Sequence, residues 1–228
     1  MKNNTDSDSK HPPRFITFEG GEGAGKTSLI VTLEQAMTSW NIPSIRTREP
    51  GGTAFGDFVR SWILKNPDNI RIDPKAELLL FLAARAQHID EVIMPAIEAG
   101  TVVFCDRFND STVAYQGVAR ELGKSLVRTL CDLVCGSVKP DLTFYLDVDP
   151  TIGLERSRST DKEEAAAGKL DRLEAEAIEF HRIVRNGFLE IAKEEPQRFI
   201  ILDATKSKKE VADEALARLR VLFNLSSQ

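Results

Sequence analysis

The 228-residue sequence is short of several things, and each shortage excludes something. It has three cysteines, Cys105, Cys131 and Cys135, with no Cys-x-x-Cys spacing. Cys131 and Cys135 stand one helical turn apart and could share a metal. No paired histidine or second cysteine couple accompanies them, so all three are read as core residues of a chain kept in a reducing compartment. No apolar run approaches the roughly 20 residues that a membrane-crossing helix needs. Residues 1–13 are polar and lack the apolar segment of a signal peptide, so they are expected to be a disordered tail and the protein cytoplasmic. Positive charge is not in excess. Lys and Arg number 30 against 35 Asp and Glu, a net charge of −5, which argues against a nucleic-acid scaffold. No internal repeat, low-complexity block or guanine-reading Asn-Lys-x-Asp segment occurs.

What is present is organised around one stretch. Phe15 to Phe18 is an apolar run, and Gly20-Gly21-Glu22-Gly23-Ala24-Gly25-Lys26-Thr27-Ser28 follows it directly. Gly20, Gly25, Lys26 and Thr27 satisfy G-x-x-x-x-G-K-[ST], with a strand expected before and a helix after. The pattern has a physical reason. A loop that wraps a phosphate chain must turn its backbone N–H groups inward, through conformations a Cβ would obstruct. Lys26 then reaches the β- and γ-phosphates, the Thr27 hydroxyl can ligate Mg²⁺, and the helix N-terminus adds free N–H groups. A glycine-rich turn without function explains the glycines but not the Lys-Thr pair. The loop does not name a reaction, because kinases, GTPases and motors share it.

Strand and helix patterns alternate along the rest. Strands are expected at 15–19, 44–48, 102–105, 141–147 and 198–202. Helices are expected at 25–40, 55–64, 74–99 with a kink at Pro95, 125–136, from 150, at 173–192 and at 208–223. This predicts an α/β chain of the P-loop NTPase type: three layers, with a five-stranded parallel sheet flanked by helices, one kinase-like domain over 14–228, and at about 156–172 a lid, or equally a solvated charge run. In such sheets ligands lie beyond the carboxyl ends of the strands. Arg48, before Pro50-Gly51-Gly52, is therefore a candidate anion ligand, or else a solvated turn arginine. Asp106, at the tip of an apolar strand, is placed to serve Mg²⁺ directly or through water, or else is a structural strand-end acid, and Arg107 points to the same edge. Phe81 and Arg85 lie four apart on one helical face, about 6 Å along the axis. They could hold a base, or be a core aromatic and a solvated arginine.

Taken together, Glu-Gly-Gly-Glu-Gly-Ala-Gly-Lys-Thr (19–27), Thr-Arg-Glu-Pro-Gly-Gly-Thr (47–53), Leu-Phe-Leu-Ala-Ala-Arg (80–85), Asp-Arg-Phe (106–108), Ser-Thr-Val-Ala-Tyr-Gln-Gly (111–117) and Pro-Asp-Leu-Thr-Phe-Tyr-Leu-Asp (140–147) resemble the bacterial thymidylate kinases. The resemblance runs nearly the whole length from Phe15, in the family's order. It implies transfer of the ATP γ-phosphate to dTMP with Mg²⁺, in a cytoplasmic homodimer that binds neither nucleic acid nor membrane. It implies that residues 20–28 hold ATP, that Thr27 and Asp106 serve the metal, and that Lys26, Asp106, Arg107 and Arg172 are catalytic. Arg48 and Arg107 would take the dTMP phosphate. Phe81 would stack on thymine and Arg85 would bond its edge. Glu22 would contact the sugar, with Ser111, Tyr115 and Gln116 lining the nucleoside site. In this family the bond before Pro50 is often cis. Some members carry an arginine inside the phosphate loop, where this chain has Gly23. The basic residue is then expected from the lid, among Arg156, Arg158 and Arg172.

Three other readings compete. Another nucleoside or deoxynucleoside monophosphate kinase would share most of these features. A nucleotide-binding switch would carry the guanine-reading segment that is missing here. An inactive relative would have lost one of Lys26, Thr27, Asp106 or Arg107.

Overall fold

A computed structural model describes residues 12–66, 70–160 and 172–225. Five strands form one parallel sheet: β1 (Phe15–Gly20), β2 (Ser44–Arg48), β3 (Val102–Asp106), β4 (Leu142–Asp147) and β5 (Phe199–Asp203). Their order is β2-β3-β1-β4-β5. All four neighbouring pairs are parallel, with Phe18 beside Asp106 and Gly20 beside Leu146. β1 is thus central, and the chain crosses from it first to one side and then to the other. That reversal of direction leaves a crevice beyond the strand ends, where the glycine-rich loop lies.

The side-chain alternation of β1 builds both faces. Ile16 and Phe18 join one core with α1 (Lys26–Ser39) and α9 (Lys208–Leu222), through Leu29, Ile30, Leu33, Ala215 and Leu219. Phe15, Thr17 and Glu19 face the other layer. There α3 (Pro74–His88), α6 (Lys124–Cys135) and α8 (Ile178–Glu194) pack with a π-helical segment, Val113–Ala119. Thr17 and Thr143 share a hydrogen bond of 2.7 Å inside this face, which satisfies both buried hydroxyls. The cysteines Cys105, Cys131 and Cys135 are free and buried. No described helix is long and apolar enough to cross a membrane.

Local chemistry starts several helices. The Thr53 side chain accepts the Gly56 N–H at the head of α2 (Ala54–Lys65). Asp73 caps α3 ahead of Pro74, and Ser207 with Glu210 forms a reciprocal capping box at α9. The bond between Glu49 and Pro50 is cis.

Two expected helices differ. The helix expected over 74–99 is interrupted: α3 ends at His88, a π segment covers Ile89–Ile93, and α4 (Met94–Glu98) follows. Pro95 has no N–H for a carbonyl one turn back and its ring crowds that carbonyl. The wider turn before it relieves both. The helix expected over 173–192 begins only at Ile178, because residues 172–176 form turns that lie across the end of α2. The region after β3 divides into α5 (Asn109–Thr112) and the π segment Val113–Ala119. The expected lid begins on α7 (Pro150–Thr160), but its residues 161–171, like tail residues 1–11, lie outside the described residues.

Candidate active site

The loop between β1 and α1 turns through left-handed backbone at Gly23 (φ 63°) and Gly25 (φ 95°). At Gly23 a side chain would also have no room, since a Cβ would stand 1.9 Å from the Gly153 carbonyl oxygen on α7. Lys26 Nζ donates to the carbonyl oxygens of Gly20 (3.2 Å) and Gly21 (2.9 Å), which holds its charge at the mouth of the loop. Burial, then the neighbouring Arg107, lowers its pKa. Beside it Thr27 Oγ1 donates to Asp106 Oδ2 at 3.1 Å. A hydroxyl and a carboxylate within one bond of each other are hard oxygen donors of the kind Mg²⁺ takes, so the pair fits that ion.

Two cavities open here. The larger, about 1800 Å³, is lined by Glu22, Gly23, Ala24, Gly25, Lys26, Thr27 and Ser28, with Asp106 and a rim of cations that includes Arg48, Arg156 and Lys208. Gly20 and Gly21 form the base of the loop rather than the wall. The smaller, about 610 Å³, is lined by Glu22, Phe81, Arg85, Arg107, Ser111, Tyr115 and Gln116, closed by Leu64, Phe108 and Leu173. Glu22, Glu49, Arg60 and Arg107 border both.

Arg107 stands at that junction in left-handed backbone (φ 69°), unusual for a residue with a Cβ. It is held there on all sides. Its N–H donates to the Phe18 carbonyl (3.0 Å), Nη2 to Glu22 Oε1 (2.5 Å) and Nη1 to Ser111 Oγ (3.1 Å), and the guanidinium lies over the Tyr115 ring. Burial alone would raise the Glu22 carboxyl, but Arg107, Lys26 and His181 together outweigh it and hold it below the usual range. Glu19, fully buried under the same turn, accepts from Phe108 N (2.8 Å) and Ser111 Oγ (2.6 Å). Its burial, followed by the nearby Asp110, pushes its pKa up to about 8.

Phe81 belongs to a core cluster with Val59, Ile63 and Ala84 and also walls the smaller cavity, so the two readings of it are compatible. Arg85 is buried, not solvated. Nε donates to Glu49 (2.6 Å), Nη1 to Asn109 (2.7 Å) and Nη2 to Thr112 (2.9 Å), with the guanidinium over Phe108. Glu49 is shared with His88 Nδ1 at 2.9 Å, and His88 Nε2 with Thr47 at 2.6 Å. Gln116 Nε2 donates to Glu77 (2.7 Å), and the Tyr115 hydroxyl reaches Glu22 at 3.4 Å.

Two predicted residues are not brought to the junction. Arg48 is exposed, lines only the larger cavity and lies 3.7 Å from Asp57. Arg172 lines neither cavity. Its N–H and Nε donate to the carbonyls of Leu64 and Ile63, and Nη2 donates to Glu77. Of the other two lid arginines, Arg156 lines the loop cavity and donates to the Ala204 carbonyl at 2.7 Å. Glu49, Arg60 and Thr112 were not singled out from the sequence. Arg60 has no motif around it, whereas Glu49 sits inside the Arg-Glu-Pro-Gly-Gly segment.

Residues 18–215 match a family model described as thymidylate kinase. A thymidylate kinase of Protochlamydia amoebophila is 50% identical over 202 residues, 89% of this chain and 90% of that one. One from Pelobacter propionicus is 48% identical, covering 90% and 93% of the two chains. One from Chlamydia trachomatis is 46% identical, covering 92% of this chain and all of that protein. With a model spanning most of its length and relatives this similar end to end, the chain belongs to the thymidylate kinase family.

Proposed function

We propose that this phosphotransferase moves the γ-phosphoryl group of ATP onto the phosphate of dTMP, giving dTDP and ADP. The observation that carries the reading is the pair of cavities meeting at Arg107, one wide and rimmed with cations, the other narrow and aromatic. A switch needs one nucleotide site, and this protein has room for two substrates end to end. Phosphoryl transfer asks for positioning and positive charge more than for covalent help. The loop amides and Lys26 hold the donor phosphates. Arg107 faces the acceptor phosphate, whose oxygen attacks the γ-phosphorus as the bond to the bridging oxygen of ADP breaks. Arg48 adds charge from the rim. Phe81 presents its ring to thymine, Arg85 and Gln116 its edge contacts, and Glu22 with Tyr115 the sugar contacts. Thr27 and Asp106 would hold Mg²⁺, which when bound neutralises charge on the β- and γ-phosphates.

The segment at about 156–172 serves as the lid in this reading, with Arg156 its most direct link to the donor cavity. The protein works in the cytoplasm as a homodimer. Supporting a dimer, Leu126 and Leu133 lie two turns apart and exposed on α6, and Leu79 is exposed on α3 packed beside it. The test is a coupled ADP-release assay with ATP and Mg²⁺, adding dTMP, dUMP, AMP, GMP, CMP and UMP in turn. Turnover with dTMP well above the others is expected. Preference for another monophosphate would retire the thymine pocket, and no stimulation by any would return the chain to a switch or an inactive relative.

A further inference from the structure

Glu19 lies one residue before the end of β1 and is fully buried. The pairing of β1 with β3 stops at Phe18 and Asp106. The next two N–H groups after β3 are nevertheless tied to β1. Arg107 N–H donates to the Phe18 carbonyl at 3.0 Å, and Phe108 N–H donates to Glu19 Oε1 at 2.8 Å. The second bond goes to a side chain, at the point where the β1 backbone turns into the phosphate loop. The peptide groups on both sides of Arg107 are therefore clamped to β1. Between the two clamps Arg107 takes its left-handed conformation (φ 69°), which a residue with a Cβ keeps only where its surroundings enforce it.

The same carboxyl reaches the Arg107 side chain. Oε2 lies 2.6 Å from Ser111 Oγ, and Ser111 Oγ accepts from Arg107 Nη1 at 3.1 Å. The Ser111 N–H adds a longer bond to Oε1, at 3.4 Å. Backbone and guanidinium of Arg107 thus both lead back to Glu19. Glu19 itself lines neither cavity, so its effect on the reaction passes through these bonds.

From this we infer that Glu19 is a positioning residue for phosphoryl transfer: by bonding the Phe108 N–H and Ser111 it holds Arg107 in its left-handed turn, with the guanidinium at the junction of the two cavities. The inference rests on the proposed function, in which Arg107 faces the acceptor phosphate. Such a role is measurable, because displacing a reacting group by about 1 Å can cost about 10²-fold in rate.

The test is a double-mutant cycle read in kcat and KM for dTMP and for ATP. Glu19→Leu removes both oxygens and is expected to lower kcat/KM for dTMP by about tenfold or more, with KM for ATP within about twofold of wild type. In the Arg107→Ala background the same change is expected to cost less than about twofold further, since the group it positions is gone. Glu19→Gln is expected to recover most of the loss. Its carbonyl can accept the Phe108 N–H, and its NH₂ can donate to Ser111 Oγ, as the O–H of a neutral carboxyl does; burial favours that neutral form of Glu19. A folded Glu19→Leu with wild-type kcat/KM for dTMP, or a loss of equal size with and without Arg107, overturns the role of Glu19 and leaves the proposed function standing. If Glu19→Leu does not fold, Glu19→Asp decides by the same cycle and the same outcomes, because it keeps a carboxyl but withdraws the oxygens by one methylene. A wild-type protein whose ADP release no monophosphate stimulates would fail the proposed function and the inference together.

Discussion

Glu19 shows how one buried carboxyl can write itself into the pH dependence of the fold. In the unfolded chain it titrates near 4.5, and in the folded protein its pKa is raised to about 8 by burial and by Asp110. The folded state therefore binds the proton more tightly across that window, so this contribution to stability is complete below the lower value, falls as pH rises and is gone above the upper one. The slope is at most one proton, about 1.4 kcal/mol per pH unit. In denaturant titrations between pH 5 and 9, wild type is expected to lose stability relative to Glu19→Gln as pH rises, the neutral variant lacking this slope; parallel curves would remove Glu19 as its source. Lys26→Ala is expected to lower kcat by about 10²–10³, the cost of one positioned charge on a transferring phosphoryl group, with unfolding temperature little changed. Wild-type turnover would take Lys26 out of the machinery. The sequence shows Lys26, Thr27 and Asp106 at once, because their spacing and strand-end places are local. Arg85 is different. Its partner Glu49 stands 36 residues earlier, and nothing local says that the two meet in the core.

Helix α7 meets the phosphate loop backbone to backbone. A Cβ at Gly153 would come within 2.4 Å of the Glu22 carbonyl oxygen, as one at Gly23 would strike Gly153. Gly153→Ala is thus expected to destabilise the fold by about 1–3 kcal/mol and to weaken ATP binding, because the loop must shift to admit the methyl group. Thermal unfolding with and without ATP measures both. An unchanged midpoint and an unchanged ATP-induced rise would mean that α7 can move off the loop freely. At this scale the strands were the most legible elements: β1, β3 and β4 are short apolar runs ending in glycine or an acid, as buried parallel strands should be. The end of α3 and the start of α8 were not. A π segment is a response to Pro95 in three dimensions, and the turns at 172–176 are held by α2 carbonyls far away in sequence.

For the whole molecule, the parallel alternation was readable from the order of apolar and amphipathic segments, while the strand order β2-β3-β1-β4-β5 depends on pairings no short window contains. The proposed dimer is a prediction of the same scale. Leu126→Glu with Leu133→Glu places charge on the exposed face of α6 and is expected to give a monomer in sedimentation equilibrium with its circular dichroism spectrum intact. A dimer that survives both changes would assemble through another surface. The central place of β1 bears finally on how the protein is made. Its two neighbours begin at Val102 and Leu142, so the first strand to leave the ribosome waits about 85 further residues for its first partner and about 125 for its second. At about 5–20 residues per second this is on the order of ten seconds during which an apolar strand must be shielded, so in the cell the first client of any chaperone on this nascent chain is the strand that will later carry the phosphate loop.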